Sequence, residues 1–252
     1  MLFLYFSSTG NTGFCIRYLA ERLQKDALVY SIEEPEAELA VREQNEIILG
    51  YPVYYSNLPK ILRDYIVERR EIWKGKRVFL LATMGAFSGD GAGVAARLLR
   101  RHGAQIMGGL HLKMPDCIID VKALKKSDEQ NRMLVQNAKC KMDRAAKAYQ
   151  EGKFPKEGLG IWYHLAGLFG QRLYFFHKTQ AYSDKLKVDS CKCTACGKCV
   201  SLCPMKNLTM ENGKVYAHDR CTMCYRCINN CPGQAITLIG KKVVAGAFTD
   251  FG

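Results

Sequence analysis

The sequence predicts an α/β protein: a doubly wound parallel sheet of five strands, followed by a small second domain organised around cysteine. Three observations carry this reading. Short apolar runs alternate with helix-period stretches through the first 150 or so residues. A hydroxyl-rich loop follows the first of those runs, and eight of the twelve cysteines fall into two identical runs near the other end. At 252 residues and 48% hydrophobic, the chain can build one good core plus a small domain.

The elements follow in order. Leu2-Phe3-Leu4-Tyr5-Phe6 is a buried-strand run, and Ile16, Leu19, Ala20 and Leu23 then recur at helical spacing. Ala27–Ile32, Glu46–Tyr51 and Arg77–Thr83 read as strands, and Gln105–Lys113 less cleanly so. Between them, Lys60–Glu68 is a helix with Ile61, Leu62, Tyr65 and Ile66 inward, and Gly93–Arg101 is one with Val94, Leu98 and Leu99 inward. A long helix over about Asp128–Gln150 aligns Leu134, Ala138, Met142, Ala145 and Tyr149. Five strands, each followed by a helix, argue for a parallel doubly wound sheet. Ligands of such sheets bind beyond the carboxyl ends of the strands, so the loops leaving strands one, three and four are the place to look.

The first of these loops, Ser7-Ser8-Thr9-Gly10-Asn11-Thr12, joins a strand to a helix start. It aims hydroxyls and backbone N–H groups at one point beside the positive end of that helix, which is an anion site suited to phosphate. It holds no lysine or arginine, so it is not a Walker-type loop. A serine-rich cap would account for one or two of these residues but not for six in succession. The loop after strand three contains Pro52, Val53, Tyr54, Tyr55 and Ser56. The loop after strand four contains Thr83, Met84, Gly85, Ala86 and Phe87. Aromatics with glycines suit a flat conjugated ring, stacked on its face and approached by backbone at its edge. A phosphate cradle beside a slot for a flat ring outlines FMN, and explains these aromatics together better than ordinary rim residues would.

The cysteine runs read C-x2-C-x2-C-x3-C-P: Cys193, Cys196, Cys199, Cys203 and Pro204, then Cys221, Cys224, Cys227, Cys231 and Pro232. That is the bacterial spacing for a pair of [4Fe–4S] clusters, in which the fourth cysteine of each run ligates the other cluster. On that pattern Cys193, Cys196, Cys199 and Cys231 hold one cube, and Cys221, Cys224, Cys227 and Cys203 the other. Zinc needs four ligands, usually as two separated pairs, and has no use for a third cysteine and a Cys-Pro at this spacing. Cys191 fits no ligand slot and is expected to be a buried bystander. A disulfide framework is disfavoured. Asn212-Gly213, between Leu208-Thr209-Met210 and Val215-Tyr216, signals a two-residue hairpin.

With these motifs in place, residues 1–150 resemble a flavodoxin, whose phosphate loop reads T/S-x-T-G-x-T, here Ser7 to Thr12. Residues 184–240 resemble a two-cluster bacterial ferredoxin, and the whole resembles the flavodoxin-fused ferredoxins of anaerobes. The resemblance implies a flavodoxin-like doubly wound parallel five-stranded sheet in the order 2-1-3-4-5, plus a small α+β ferredoxin-like domain with two [4Fe–4S] clusters. It implies phosphate contacts at Ser7, Thr9, Gly10, Asn11 and Thr12, and ring contacts at Pro52, Val53, Tyr54, Tyr55, Thr83, Met84, Gly85 and Phe87. Residues 151–183 then connect the modules and 241–252 form a tail.

The formal charge is +13, and two clusters with one FMN bring it to about +7. A basic surface steers acidic partners, so acidic ferredoxins, flavodoxins or reductases are expected, and nucleic acid is not. Lys122, Lys125, Lys126, Lys139, Lys141 and Lys147 read as a solvated face. The connecting stretch of about 153–178 is aromatic (Trp162, Tyr163, Phe169, Tyr174, Phe175, Phe176) but interrupted by Arg172 and His164, a poor membrane span. Docking the second module onto the first is its expected role, membrane-surface contact the minor one. His102, His111, His164, His177 and His218 form no motif. Gly89-x-Gly91-x-Gly93 is not a dinucleotide fingerprint, so NAD(P)H has no domain here. The amino terminus has no basic n-region, and a cytoplasmic, electron-carrying flavoprotein is expected. An FMN reductase of a quinone, nitro compound or similar acceptor is the alternative.

Overall fold

The computed structural model describes residues 1–251 except Ser56, Phe87, Ser88 and 168–180. The aromatic residues Phe169, Tyr174, Phe175 and Phe176, with His177 and the expected site residues Ser56 and Phe87, lie outside the described residues.

Strands β1 (Leu2–Tyr5), β2 (Leu28–Ser31), β3 (Glu46–Pro52), β4 (Arg77–Met84) and β5 (Gln105–Lys113) form one sheet in the order β2-β1-β3-β4-β5. Every pairing is parallel. Helices α1 (Asn11–Leu23), α2 (Ala37–Glu43), α3 (Lys60–Glu68), α4 (Gly91–Arg101) and α5 (Asp128–Gln150) follow the five strands in turn. Strand residues alternate between two cores. Leu2, Leu4, Leu49 and Leu80 meet the α2, α3 and α4 side. Phe3, Tyr5, Ile48 and Leu81 meet α1 and α5. Both faces of the sheet are thereby covered, as parallel sheets require.

Two helix faces differ in phase from the sequence reading. On α4 the buried residues are Ala92, Ala95, Ala96 and Leu99, while Val94 and Leu98 are only partly buried. Small residues let this helix approach the sheet closely, and the larger two flank the contact. On α5, Val135 and Ala146 are buried, whereas Leu134 and Tyr149 sit at the margins. A capping box of Ser127 with Gln130 starts α5.

The edge of β5 is covered by the chain beyond α5. Gly109 N–H donates to the Pro155 carbonyl at 2.7 Å, and Glu157 N–H to that of Gly109 at 2.9 Å. A short helix, α6 (Ile161–Gly167), leaves Ile161 and Trp162 exposed. Its His164 Nδ1 lies 2.8 Å from Asp90, a carboxylate with no exposed surface that also accepts from Arg97. No helix among the described residues is long and apolar enough to cross a membrane.

The second unit contains two short antiparallel pairs, Lys187–Val188 with Ile236–Thr237 and Leu208–Glu211 with Lys214–Ala217. Asn212 and Gly213 both adopt positive φ, 50° and 73°, the primed turn their sequence signals. The last residues return to the first unit: Phe251 stacks on Phe14 with centroids 4.9 Å apart, and Arg132 bonds Asp250.

Candidate functional site

The carboxyl ends of the strands form an open cleft of about 190 Å³. Thirteen of the sequence-selected residues line it: Ser7, Ser8, Thr9, Asn11, Thr12, Pro52, Val53, Tyr54, Tyr55, Thr83, Met84, Gly85 and Ala86. Gly10 stands just behind, as the residue before α1, with φ 99°. That conformation favours glycine, and it turns the loop so that the first N–H groups of α1, which lack intrahelical partners, face outward. Gly10 N–H donates to Ser7 Oγ at 3.2 Å, and the Thr12 and Thr83 hydroxyls bond each other at 2.8 Å.

The remaining loops are tied together. Val53 N–H donates to the Thr83 carbonyl at 2.8 Å, and buried Tyr51 donates to that of Gly91 at 2.9 Å. A Cβ on Gly85 would stand 2.4 Å from Asp116 Oδ2, so any larger residue there would have to displace the Asp116 side chain. Tyr54 donates its hydroxyl to Ser8 Oγ at 2.6 Å, and burial holds its pKa well above the usual phenol value. Sequence reasoning missed Pro115, Asp116, Cys117, Ile118 and Met223, which also line the cleft. The first four leave the end of β5, where the strand-end rule applies equally. Met223 comes from the second unit, and no local signal marks it.

The eight motif cysteines separate into two quartets. Cys193, Cys196, Cys199 and Cys231 surround one small cavity, and Cys203, Cys221, Cys224 and Cys227 another. The two loops share one backbone. Ala195 and Met223 have φ 53° and 58°, Gly197 and Tyr225 72° and 61°, and Lys206 and Gln234 49° and 48°. Left-handed φ at non-glycine residues costs of order 1–3 kcal/mol each and persists where the surroundings impose it. Here it turns N–H groups toward sulfur: Asn207 donates to Cys203 Sγ at 3.2 Å and Ala235 to Cys231 Sγ at 3.3 Å. No three His, Cys, Asp or Glu side chains among the described residues converge tightly enough for a single ion. Each quartet lines its own small cavity with four cysteines, the ligand count of a four-iron cube.

Burial differs between the quartets. Cys224 and Cys227 are buried, and burial pushes the Cys224 thiol up to about 11 while the Arg226 N–H and charge oppose that rise. In the other quartet Cys196 is exposed, and the N–H of Lys198 holds its pKa below the ordinary thiol value. Cys191 is exposed, not buried as its residue type predicts. It sits in the turn before the first loop, its N–H on Asp189 Oδ1 at 3.0 Å, and it does not line the cavity.

Cleft and second quartet adjoin. Met223, between Cys221 and Cys224, is part of the cleft wall, and the cleft residues Tyr54 and Cys117 lie within electrostatic reach of Cys224. The junction is pinned by Asp120, 3% exposed. It accepts from Tyr225 OH at 3.0 Å and from the N–H groups of Leu238, Ile239 and Gly240 at 2.8, 3.0 and 3.1 Å. Asn229 Nδ2 adds a bond to the Cys117 carbonyl at 2.8 Å.

Residues 2–108 match the family model of a flavodoxin domain, and residues 185–239 match that of a 4Fe-4S dicluster domain. The chain carries a flavodoxin domain over residues 2–108 followed by a 4Fe-4S dicluster domain over residues 185–239. Among solved structures, two-electron reduced Megasphaera elsdenii flavodoxin is similar at 23% identity and a TM-score of 0.43, over 59% of this chain and 100% of that one. Trp repressor binding protein from Bacillus subtilis is similar at 11% and 0.43, over 57% and 96%. Oxidised flavodoxin 2 from Bacillus cereus is similar at 17% and 0.41, over 60% and 97%. No curated protein matches the chain. The dicluster domain with its cysteines implies two [4Fe–4S] clusters, the flavodoxin domain suggests FMN, and the pair of domains suggests electron transfer.

Proposed function

We propose that the protein is an electron-transfer iron–sulfur flavoprotein, relaying single electrons between its clusters and FMN and on to a redox partner. The observation that carries this is the shared wall: Met223, from a cysteine loop, forms part of the cleft in the flavodoxin domain. When bound, the clusters supply one-electron steps and FMN takes electrons singly or in pairs.

The chain's own residues divide the work. Ser7, Ser8, Thr9, Gly10, Asn11 and Thr12 bind the phosphate through hydroxyls and the N–H groups at the start of α1. Pro52, Val53, Tyr54, Tyr55, Thr83, Met84, Gly85 and Ala86 would hold the ring, in a cleft that Asp116 and Cys117 also line. Cys203, Cys221, Cys224 and Cys227 would hold an inner cluster, on the loop whose Met223 lines the cleft, and Cys193, Cys196, Cys199 and Cys231 an outer one. Asp120 ties the two domains together through its four hydrogen bonds. The outer quartet, with exposed Cys196 flanked by the exposed Lys192 and Lys198, is the port at which an acidic redox protein docks. A cytoplasmic setting keeps such thiols and clusters reduced.

Stepwise anaerobic reductive titration tests this. Cluster bleaching and flavin reduction are expected in one sample, linked by an internal equilibrium. Clusters that bleach while the flavin stays oxidised at every potential would overturn it.

A further inference from the structure

The two cysteine loops share a backbone but not a surface. Positions occupied in the outer loop by Ala195, Gly197 and exposed Lys198 are occupied in the inner loop by Met223, Tyr225 and Arg226. The last of these reaches out of its domain. Arg226 Nη2 donates to the Ser7 carbonyl in the phosphate loop at 2.7 Å and to Glu33 Oε2 at 2.6 Å. Its Nη1 donates to Glu33 Oε1 at 2.7 Å and to the Leu202 carbonyl at 3.3 Å, while the guanidinium lies 5.4 Å from the Phe6 ring centroid. Only 12% of the side chain is exposed.

Adding an electron to a cluster adds negative charge, and burial penalises that. The inner quartet is the more buried one. Unassisted, its cluster would be the harder of the two to reduce. Arg226 stands between Cys224 and Cys227 in sequence, with a permanent charge in low-dielectric surroundings, where Coulombic effects are strong. Glu33, reaching over from the flavodoxin domain, trims that charge.

Resting on the electron-transfer reading above, we propose that Arg226 and Glu33 form a cross-domain charge pair that sets the inner cluster's reduction potential, making this cluster the electron gate to the flavin. The arginine raises the potential and the glutamate lowers it. One electron moves in the step, and no bond forms or breaks. Arg226 is a positioning residue: it acts on the cluster through its charge and on the phosphate loop through the Ser7 carbonyl, without ligating iron.

Potentiometric titration of the holoprotein, followed by the paramagnetic signals of the reduced clusters, tests this. Cys196→Ser, at an outer ligand, marks which wave belongs to the outer cluster. Arg226→Gln is expected to disfavour reduction of the inner cluster about tenfold, or about 59 mV lower for a one-electron couple. Glu33→Gln is expected to favour it, the opposite sign. Arg226→Lys keeps the charge and is expected to change the equilibrium less than about threefold, about half that shift on a logarithmic scale. Loosened docking alone would shift the inner wave the same way in both variants, so opposite signs separate charge tuning from structural damage. Unmoved waves, shifts of the same sign, or shifts confined to the outer wave would overturn the proposal. Should Arg226→Gln not fold, the Glu33→Gln wave decides: a rise supports the proposal and anything else overturns it. Iron, sulfide and flavin are quantified in each sample. Missing clusters or flavin in the parent would sink the functional reading, whereas loaded protein with unmoved waves would sink only this one.

Discussion

Asp120→Ala is the most searching perturbation of the domain junction. The carboxylate is 3% exposed and accepts four hydrogen bonds, all from the dicluster side: one hydroxyl and three consecutive N–H groups. A hydrogen bond to a charged group contributes about 1.5–3 kcal/mol, but the buried carboxylate's own desolvation offsets much of that sum. Leaving the four neutral donors unpaired costs about 1–3 kcal/mol each before water re-satisfies some of them, so the net loss of about 3–5 kcal/mol is a large fraction of the roughly 5–15 kcal/mol that keeps a domain folded. Asp120→Asn retains one oxygen acceptor and nearly the same volume, and should cost about 1–2 kcal/mol, the scale of one or two neutral hydrogen bonds. The assay is anaerobic urea denaturation of the holoprotein, with cluster absorbance and flavin fluorescence followed together. The two probes should coincide in the parent, and in Asp120→Ala the cluster transition should move to lower urea and precede the flavin's. Internal electron transfer should slow in the same variant. Coincident transitions at the parental midpoint would refute the view that Asp120 couples the domains.

Three further outcomes follow from the structure. Burial pushes the pKa of His111 down to about 4 against the pull of Glu157 and with the push of Lys141. Its folded value lies below its unfolded one, so protons favour the unfolded chain and stability should fall by up to about 3 kcal/mol as pH drops from about 6.5 to about 4; Asn in its place should flatten that part of the urea-midpoint profile. Gly240→Ala would set a Cβ 1.7 Å from the Asp120 carbonyl oxygen, so backbone must move, and the early cluster transition of Asp120→Ala should reappear in the same two-probe experiment. Gly213→Ala, at φ 73° with nothing within 4 Å, carries only the backbone cost of about 1 kcal/mol, and should lower the urea midpoint slightly while leaving iron content unchanged.

The sheet was legible because its strands are apolar on both faces and so stand out as continuous runs, as at Ile47-Ile48-Leu49 and Val78-Phe79-Leu80-Leu81. The bounds of α3, α5 and β5 coincide with the spans expected from periodicity. The inner face of α4 did not, because Ala92, Ala95 and Ala96 carry the right period but little hydrophobic weight beside Val94 and Leu98. The cysteine quartets were readable since ligand spacing is local. What crosses between domains was not: Met223, Arg226 and Asp120 look like ordinary loop residues until the fold brings them within reach of the cleft. Cys117 had no motif, and only its place after β5 could have marked it.

Electron relay in this protein rests on two inorganic clusters and one flavin in a single chain. Anaerobic purification followed by quantification of iron, acid-labile sulfide and flavin tests it most directly. About eight iron, about eight sulfide and about one FMN per chain are expected. Zinc in place of iron with no labile sulfide, or fully loaded clusters without flavin, would contradict it.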